Sequence, residues 1–168
     1  MRLASSLRAR VLVIGLGPLP PLDSAERTTL HAAIENLAGH GNRLGVDLAA
    51  HCPSAEPAEL AALIAELPER ALGVDLSPAD LIRHDRRPQA FVEALGAHIA
   101  HVFANDAVRG LGGSDAMDVE LGRGSADTPE LLGLLEEYDY RGWITVERRN
   151  SPHPADDLAN AVQFLRSL

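Results

Sequence analysis

Short apolar, β-branched runs alternate with segments of helical periodicity along the chain, and this alternation restricts the fold more than any other feature. Val11-Leu12-Val13-Ile14 is a compact apolar run stopped by Gly15 and Pro18, the pattern of a buried strand. Asp23-Ser24-Ala25-Glu26 then has the form of a capping box. Behind it Leu30, Ala33, Ile34 and Leu37 recur at helical spacing, with Gly39 and Gly41 as expected stops. The pattern repeats. Residues 44–50 read as a strand; Leu60, Leu63, Ile64 and Leu67 mark a helix with Ser54 as its cap; residues 71–76 read as a third strand. Phe91 and Leu95 lie on a helix that Pro88 begins and Gly96 ends, and residues 99–104 form a fourth strand. Residues 106–127, rich in Gly and Asp, read as a long loop. Leu131, Leu132, Leu135 and Tyr138 mark the next helix, residues 143–147 a fifth strand, and Leu158, Ala161, Val162 and Leu165 one face of a last helix.

Strands that alternate with helices imply a parallel sheet with right-handed crossovers, and units of about thirty residues suit βα repeats. Two architectures meet this pattern: an open doubly wound sheet, or part of a (β/α)8 barrel. No linker or low-complexity segment interrupts it, so residues 1–168 are expected to form one domain. Hydrophobic residues, at 46%, suffice for a core, but aromatics are only 4%, so Leu, Ala, Val and Ile must fill it.

Charge narrows the partners. The formal net charge is -9, all 15 basic residues are Arg, and these are dispersed, which argues against a nucleic-acid partner. No apolar run approaches a membrane span, and residues 11–14 are too short for the core of a signal peptide. The lone cysteine, Cys52, allows no internal disulfide and suits a reducing, cytoplasmic compartment.

Polar residues gather where the expected strands end: His51 and Cys52; Asp75, Ser77 and Asp80; Asn105 and Asp106; Glu147, Arg148 and Arg149. In parallel α/β folds these carboxyl ends carry the chemistry. Glu147 is the sharpest candidate, an acid at the lip of Trp143-Ile144-Thr145-Val146. His98 and His101 read as hydrogen-bonded histidines of the fourth strand, and His40, His84 and His153 as surface residues. Cys52 reads as an inert small side chain. Gly15-Leu16-Gly17 follows a strand as a dinucleotide loop would, but Pro20 stands in place of the third glycine, so a tight turn is the better reading.

Four stretches resemble the xylose-isomerase-like sugar-phosphate isomerase/epimerase family. They are Gly73-Val74-Asp75-Leu76-Ser77-Pro78-Ala79-Asp80-Leu81, His101-Val102-Phe103-Ala104-Asn105-Asp106-Ala107, Leu121-Gly122-Arg123-Gly124-Ser125-Ala126-Asp127 and Tyr140-Arg141-Gly142-Trp143-Ile144-Thr145-Val146-Glu147. They are similar to the family's G-x-x-x-D-P-A-N/H-L, H-V-H-x-K-D-A, L-G-x-G-x-x-D and Y-x-G-W-L-T-V-E segments, and the likeness runs from about Val11 to the C-terminus. The resemblance implies an incomplete TIM barrel, with the fourth to eighth strands present and the first three βα units absent. It also implies a divalent metal at the strand ends, which polarises a sugar carbonyl and hydroxyl while carboxylates move a proton between adjacent carbons.

Carried over position by position, His51 stands at the place of the family's first Glu ligand, Ser77 at that of the Asp, and Phe103 at that of the His; Glu147 is retained. The resemblance therefore implies a weakened or lost metal site. If one survives, its ligands are Glu147, His51 and Asp80, with manganese, magnesium or zinc as the ion and imidazole tilting the choice towards zinc. Glu147 and His51 are the catalytic candidates, and Asp106, Asn105 and Arg149 the substrate contacts. The substrate class is a small sugar or sugar phosphate. A barrel cut to five strands has two open edges and an apolar concave face, which a second copy or a partner chain would cover. A non-catalytic binding or assembly module is the alternative to an enzyme.

Overall fold

The apolar runs pair side by side in the order in which they occur. In the computed structural model, which describes residues 1–110 and 116–168, the strands are β1 (Val11–Gly15), β2 (Asp47–His51), β3 (Gly73–Leu76), β4 (Ile99–Ala104), β5 (Asp106–Val108), β6 (Met117–Val119) and β7 (Trp143–Val146). Five of them form one parallel sheet in the order β1-β2-β3-β4-β7. A doubly wound sheet reverses its strand order part-way along. Here the order never reverses, and the sheet curls as a half-barrel, an incomplete TIM barrel of five βα units.

The helices are α1 (Arg2–Ser6), α2 (Ala25–Leu44), α3 (Pro57–Glu66), α4 (Pro78–Arg83), α5 (Pro88–Leu95), α6 (Thr128–Glu137) and α7 (Pro154–Ser167). Five of them, α3 to α7, begin with a proline in the first turn, where the missing N–H is lost at no cost. The Ser24 side chain caps α2 by accepting from the Arg27 N–H at 3.0 Å. That helix runs past both glycines expected to stop it and ends at Gly45, in the left-handed region at φ 67°. Gly41 serves close packing instead. A Cβ at this position would collide with the Val46 carbonyl oxygen, so the glycine allows the chain to fold back closely. This moves the start of β2 to Asp47. Helix α3 begins at Pro57 with Glu56, not Ser54, as its N-cap residue.

One apolar cluster joins the sheet to the helices, with Ile34, Leu60, Leu63, Leu76, Phe91 and Leu95 among its largest buried side chains. The opposite face was expected to be apolar. Strand alternation instead places Asp75, His101 and Thr145 there, linked to one another by hydrogen bonds. Apolar side chains are exposed at the β7 edge of the sheet, where Trp143 is 67% exposed and Ile144 38%, and also near the N-terminus, at Leu3 and Leu7. No helix among the described residues is long and apolar enough to cross a membrane.

The stretch expected as a loop, residues 106–127, contains an antiparallel pair, β5 with β6, and its residues 111–115 lie outside the described residues. Asp106 organises its return. The buried carboxylate accepts from the backbone N–H groups of Ala107 (2.8 Å), Gly124 (2.8 Å) and Ala126 (3.0 Å). Gly124 comes so close that a Cβ would overlap the carboxylate. Asp106→Ala strands these amides, and urea unfolding should show a loss of about 3 kcal/mol. A loss below about 1 kcal/mol would contradict this account of the loop.

Candidate active site at the strand ends

Two hydrogen-bonded groups meet at the carboxyl ends of the sheet. The first is a relay across four strands. His51, the last residue of β2, donates from Nδ1 to Asp75 Oδ2 at 2.7 Å, and His101 of β4 donates from Nδ1 to Asp75 Oδ1 at 2.6 Å. His101 Nε2 lies 2.8 Å from the Thr145 hydroxyl on β7. The pairing register sets this row, because Asp75 lies opposite His101. The Asp75 side chain is wholly buried, so both imidazole N–H groups reach a carboxylate that water does not. Phe103 packs its ring edge against His101 at 4.7 Å between centroids.

The second group is built on Asp80 in the first turn of α4. Ser77 donates its hydroxyl to Asp80 Oδ2 at 2.8 Å, and Arg83 pairs with Asp80 Oδ1. Arg149, just beyond β7, grips the same carboxylate with both terminal nitrogens, at 2.9 and 3.1 Å, and reaches Glu147 Oε2 at 3.1 Å. Asn105 fixes the remaining members. Its Nδ2 donates to Glu147 Oε2 at 3.0 Å and Ser77 Oγ at 3.1 Å, while its Oδ1 accepts from the Ala79 N–H at 3.0 Å. His51 joins the two groups, with Nε2 3.5 Å from Asp80 Oδ2.

Titration follows from these contacts. The Asp75 hydrogen bond raises the His51 pKa above its ordinary value, against burial, with the charges of Asp75 and Asp80 adding to the rise. Burial pushes Asp80 up, but hydrogen bonds from Arg149 and Ser77 and the nearby guanidinium groups outweigh it and leave its pKa lowered. Burial likewise lowers the Arg149 value, and the Asp80 and Glu147 carboxylates more than reverse this.

The fold thus brings together five of the six residues expected at the site: His51, Asp80, Asn105, Glu147 and Arg149. Asp106 stands apart, its carboxylate taken by backbone amides. The relay partner Asp75 was visible as a strand-end acid. Its link to His101 was not, because it depends on register. Arg83 was missed; nothing in its sequence context marks a side chain that also pairs with Asp118 of β6. Arg148 turns away to Asp157 at 3.0 Å. The Cys52 thiol donates to the Gly17 carbonyl at 3.0 Å, and burial pushes its pKa up, as suits an inert cysteine.

Comparison with known proteins places this geometry. The family model described as xylose isomerase-like TIM barrel matches residues 10–168. A xylose isomerase domain protein from Planctomyces limnophilus superposes with a TM-score of 0.89 at 23% identity, over 99% of this chain and 62% of that one. A xylose isomerase-like TIM-barrel protein from Mycobacterium smegmatis, solved in complex with magnesium, gives 0.80 at 17% identity, over 98% and 63%. A D-allulose 3-epimerase from Methylomonas sp. in complex with D-allulose gives 0.76 at 20%, over 99% and 65%. The chain therefore spans less than two thirds of the length of these structures. No curated protein sequence matches it.

The residues at the strand ends do not fit a divalent ion as they are arranged. Among the described residues, no three His, Cys, Asp or Glu side chains are disposed to hold one. Asp80 lies beside both His51 and the Arg149 that reaches Glu147, but that guanidinium lies on both carboxylates, and the Phe103 ring packed on His101 offers no donor.

The raised His51 value sets a pH dependence. A raised folded pKa contributes stability that is full below the unfolded value of 6.5 and fades as pH rises through the folded one. The melting-temperature gap between wild type and His51→Gln should therefore be widest near about pH 5.5 and narrow towards about pH 9. A gap that does not change with pH would refute the Asp75 pairing.

Proposed function

Because the chain belongs to the xylose isomerase-like TIM-barrel family, we propose that its strand-end cleft binds a small sugar or sugar derivative, phosphorylated or not. The observation that carries the reading is the convergence of His51, Asn105, Glu147 and Arg149, from the ends of three separate strands, on one hydrogen-bonded cluster. A polyhydroxylated ligand needs donors and acceptors interleaved at close range. His51, with its side chain 26% exposed, Glu147 at 28% and Arg149 at 41% offer both kinds at the surface of the cluster. The D-allulose complex of the Methylomonas epimerase supports the choice of ligand class. Asp106 serves this site at one remove, by fixing the loop that follows Asn105.

The cluster as arranged suits binding more than turnover. Isomerisation or epimerisation asks a base to take a proton from carbon, and Glu147 Oε2 is already engaged by Arg149 and Asn105. If the isomerase or epimerase chemistry persists, it falls to His51, whose Nε2 faces the cluster while Asp75 holds the other nitrogen, with Glu147 as its counterpart. A partial barrel of residues 1–168, working in the reducing cytoplasm that its one free cysteine suits, is the setting we propose.

A second role, assembly, is favoured by the exposed Trp143 on β7, an edge strand of the sheet. A second copy or a partner chain laid along that edge would cover it.

Calorimetric titration with D-allulose, D-fructose and their phosphates should give saturable binding, weakened at least about tenfold by Glu147→Gln, a loss of about 1.4 kcal/mol. Absence of binding by every sugar tried would overturn the proposal. Incorporation of solvent deuterium into a bound sugar, lost in His51→Gln, would add turnover to binding.

A further inference from the structure

We propose that the Arg149 guanidinium is the resident cation of the strand-end cluster, standing where a divalent ion would otherwise gather the same carboxylates, so that the wild-type chain takes no divalent ion there. Three observations meet in this assignment, and none depends on which ligand the cleft takes.

The first is geometry. One terminal nitrogen of Arg149 contacts Asp80 Oδ2 and Glu147 Oε2, each at 3.1 Å, and the other contacts Asp80 Oδ1 at 2.9 Å. The planar fork grips one carboxylate with two parallel hydrogen bonds while sharing a nitrogen with the next, an arrangement that an ammonium group could not reproduce. His51 Nε2, 3.5 Å from Asp80 Oδ2, completes the set of donors around this position.

The second is burial. Asp80 is 7% exposed, so its charge requires a counterion at close range. Arg149 meets that need from beyond β7, far away in sequence, and thereby ties the last strand to α4.

The third is exclusion. Arg83 also pairs with Asp80, so an incoming divalent ion would meet two guanidinium charges. It would find no replacement donors at Phe103, and the Ser77 hydroxyl is already given to Asp80. As arranged, no three of the described His, Cys, Asp or Glu side chains are disposed to hold an ion, so binding after removal of Arg149 requires Asp80, Glu147 and His51 to turn towards one another, a movement that the guanidinium's contacts now oppose.

The test titrates manganese chloride and zinc chloride into wild type, Arg149→Met, Arg149→Lys and the double variant Arg149→Met with Glu147→Gln. Binding is followed by calorimetry and by the manganese EPR signal, and melting temperature is read in parallel with and without EDTA. Wild type is expected to show no saturable binding and a melting temperature that neither EDTA nor manganese moves. Arg149→Met should melt lower, bind one equivalent of ion and recover melting temperature on binding, and the double variant should lose that recovery. Arg149→Lys, still charged, should bind none. Stoichiometric binding by wild type overturns the proposal, as does a folded Arg149→Met that binds no ion. Failure of Arg149→Met to fold even with ion present also counts against it, because either kind of cation should satisfy the same carboxylates.

Discussion

The Asp75 carboxylate, buried between two imidazoles, is the interaction on which the open face of the sheet depends. Its oxygens are each taken by a histidine from a neighbouring strand, and His101 passes the connection on to Thr145. β2, β3, β4 and β7 are thus stitched together on the side that the helices do not cover. Backbone pairing alone would hold the strands in register. The relay adds a reason for that register, because a slip of one residue would turn Asp75 or His101 into the apolar cluster on the other side, where neither has a partner. The local irregularity between Val74 and Asp75 lets His101 face Asp75 squarely despite the offset of the strands below it.

The second group of side chains uses a different economy of charge. Three carboxylates, Asp75, Asp80 and Glu147, crowd a small volume, and none is left to face the others unscreened. Asp75 is met by histidines, while Asp80 and Glu147 are met by arginines that belong to the chain itself. A metal-holding barrel solves the same crowding with a mobile ion that can be shared with a substrate. A guanidinium on a tether solves it once and for all, and its contacts are made before any ligand arrives. The two solutions differ less in how they hold the fold than in what they leave available for chemistry.

The sequence made the architecture legible because its apolar runs are short, well separated and bounded by Gly and Pro; β4 begins and ends where its alternation does. The errors have particular causes. Gly39 and Gly41 look like helix stops, yet α2 continues because the turn at Gly41 needs room against the Val46 carbonyl and Gly45 takes the left-handed exit. The stretch after β4 looked structureless because its strands are only three residues each, too short for a periodic signal. The site was legible as a set of strand ends, which is how His51, Asp80, Asn105, Glu147 and Arg149 could be named together. Which atom binds which was not, because residues as distant as Asp80 and Arg149 meet only through the side-by-side pairing of β3, β4 and β7. Asp106 shows the same limit from the other side: as a strand-end acid it resembles its neighbours, but the close return of Gly124 claims its oxygens.

Arg83 has a place in this arrangement that its position on a short helix does not advertise. One of its nitrogens is on Asp80 and the other on Asp118 of β6, so the same side chain serves the site and the strand that follows β5. Any change at Arg83 therefore removes a charge from beside Asp80 and a tie to β6 in the same stroke.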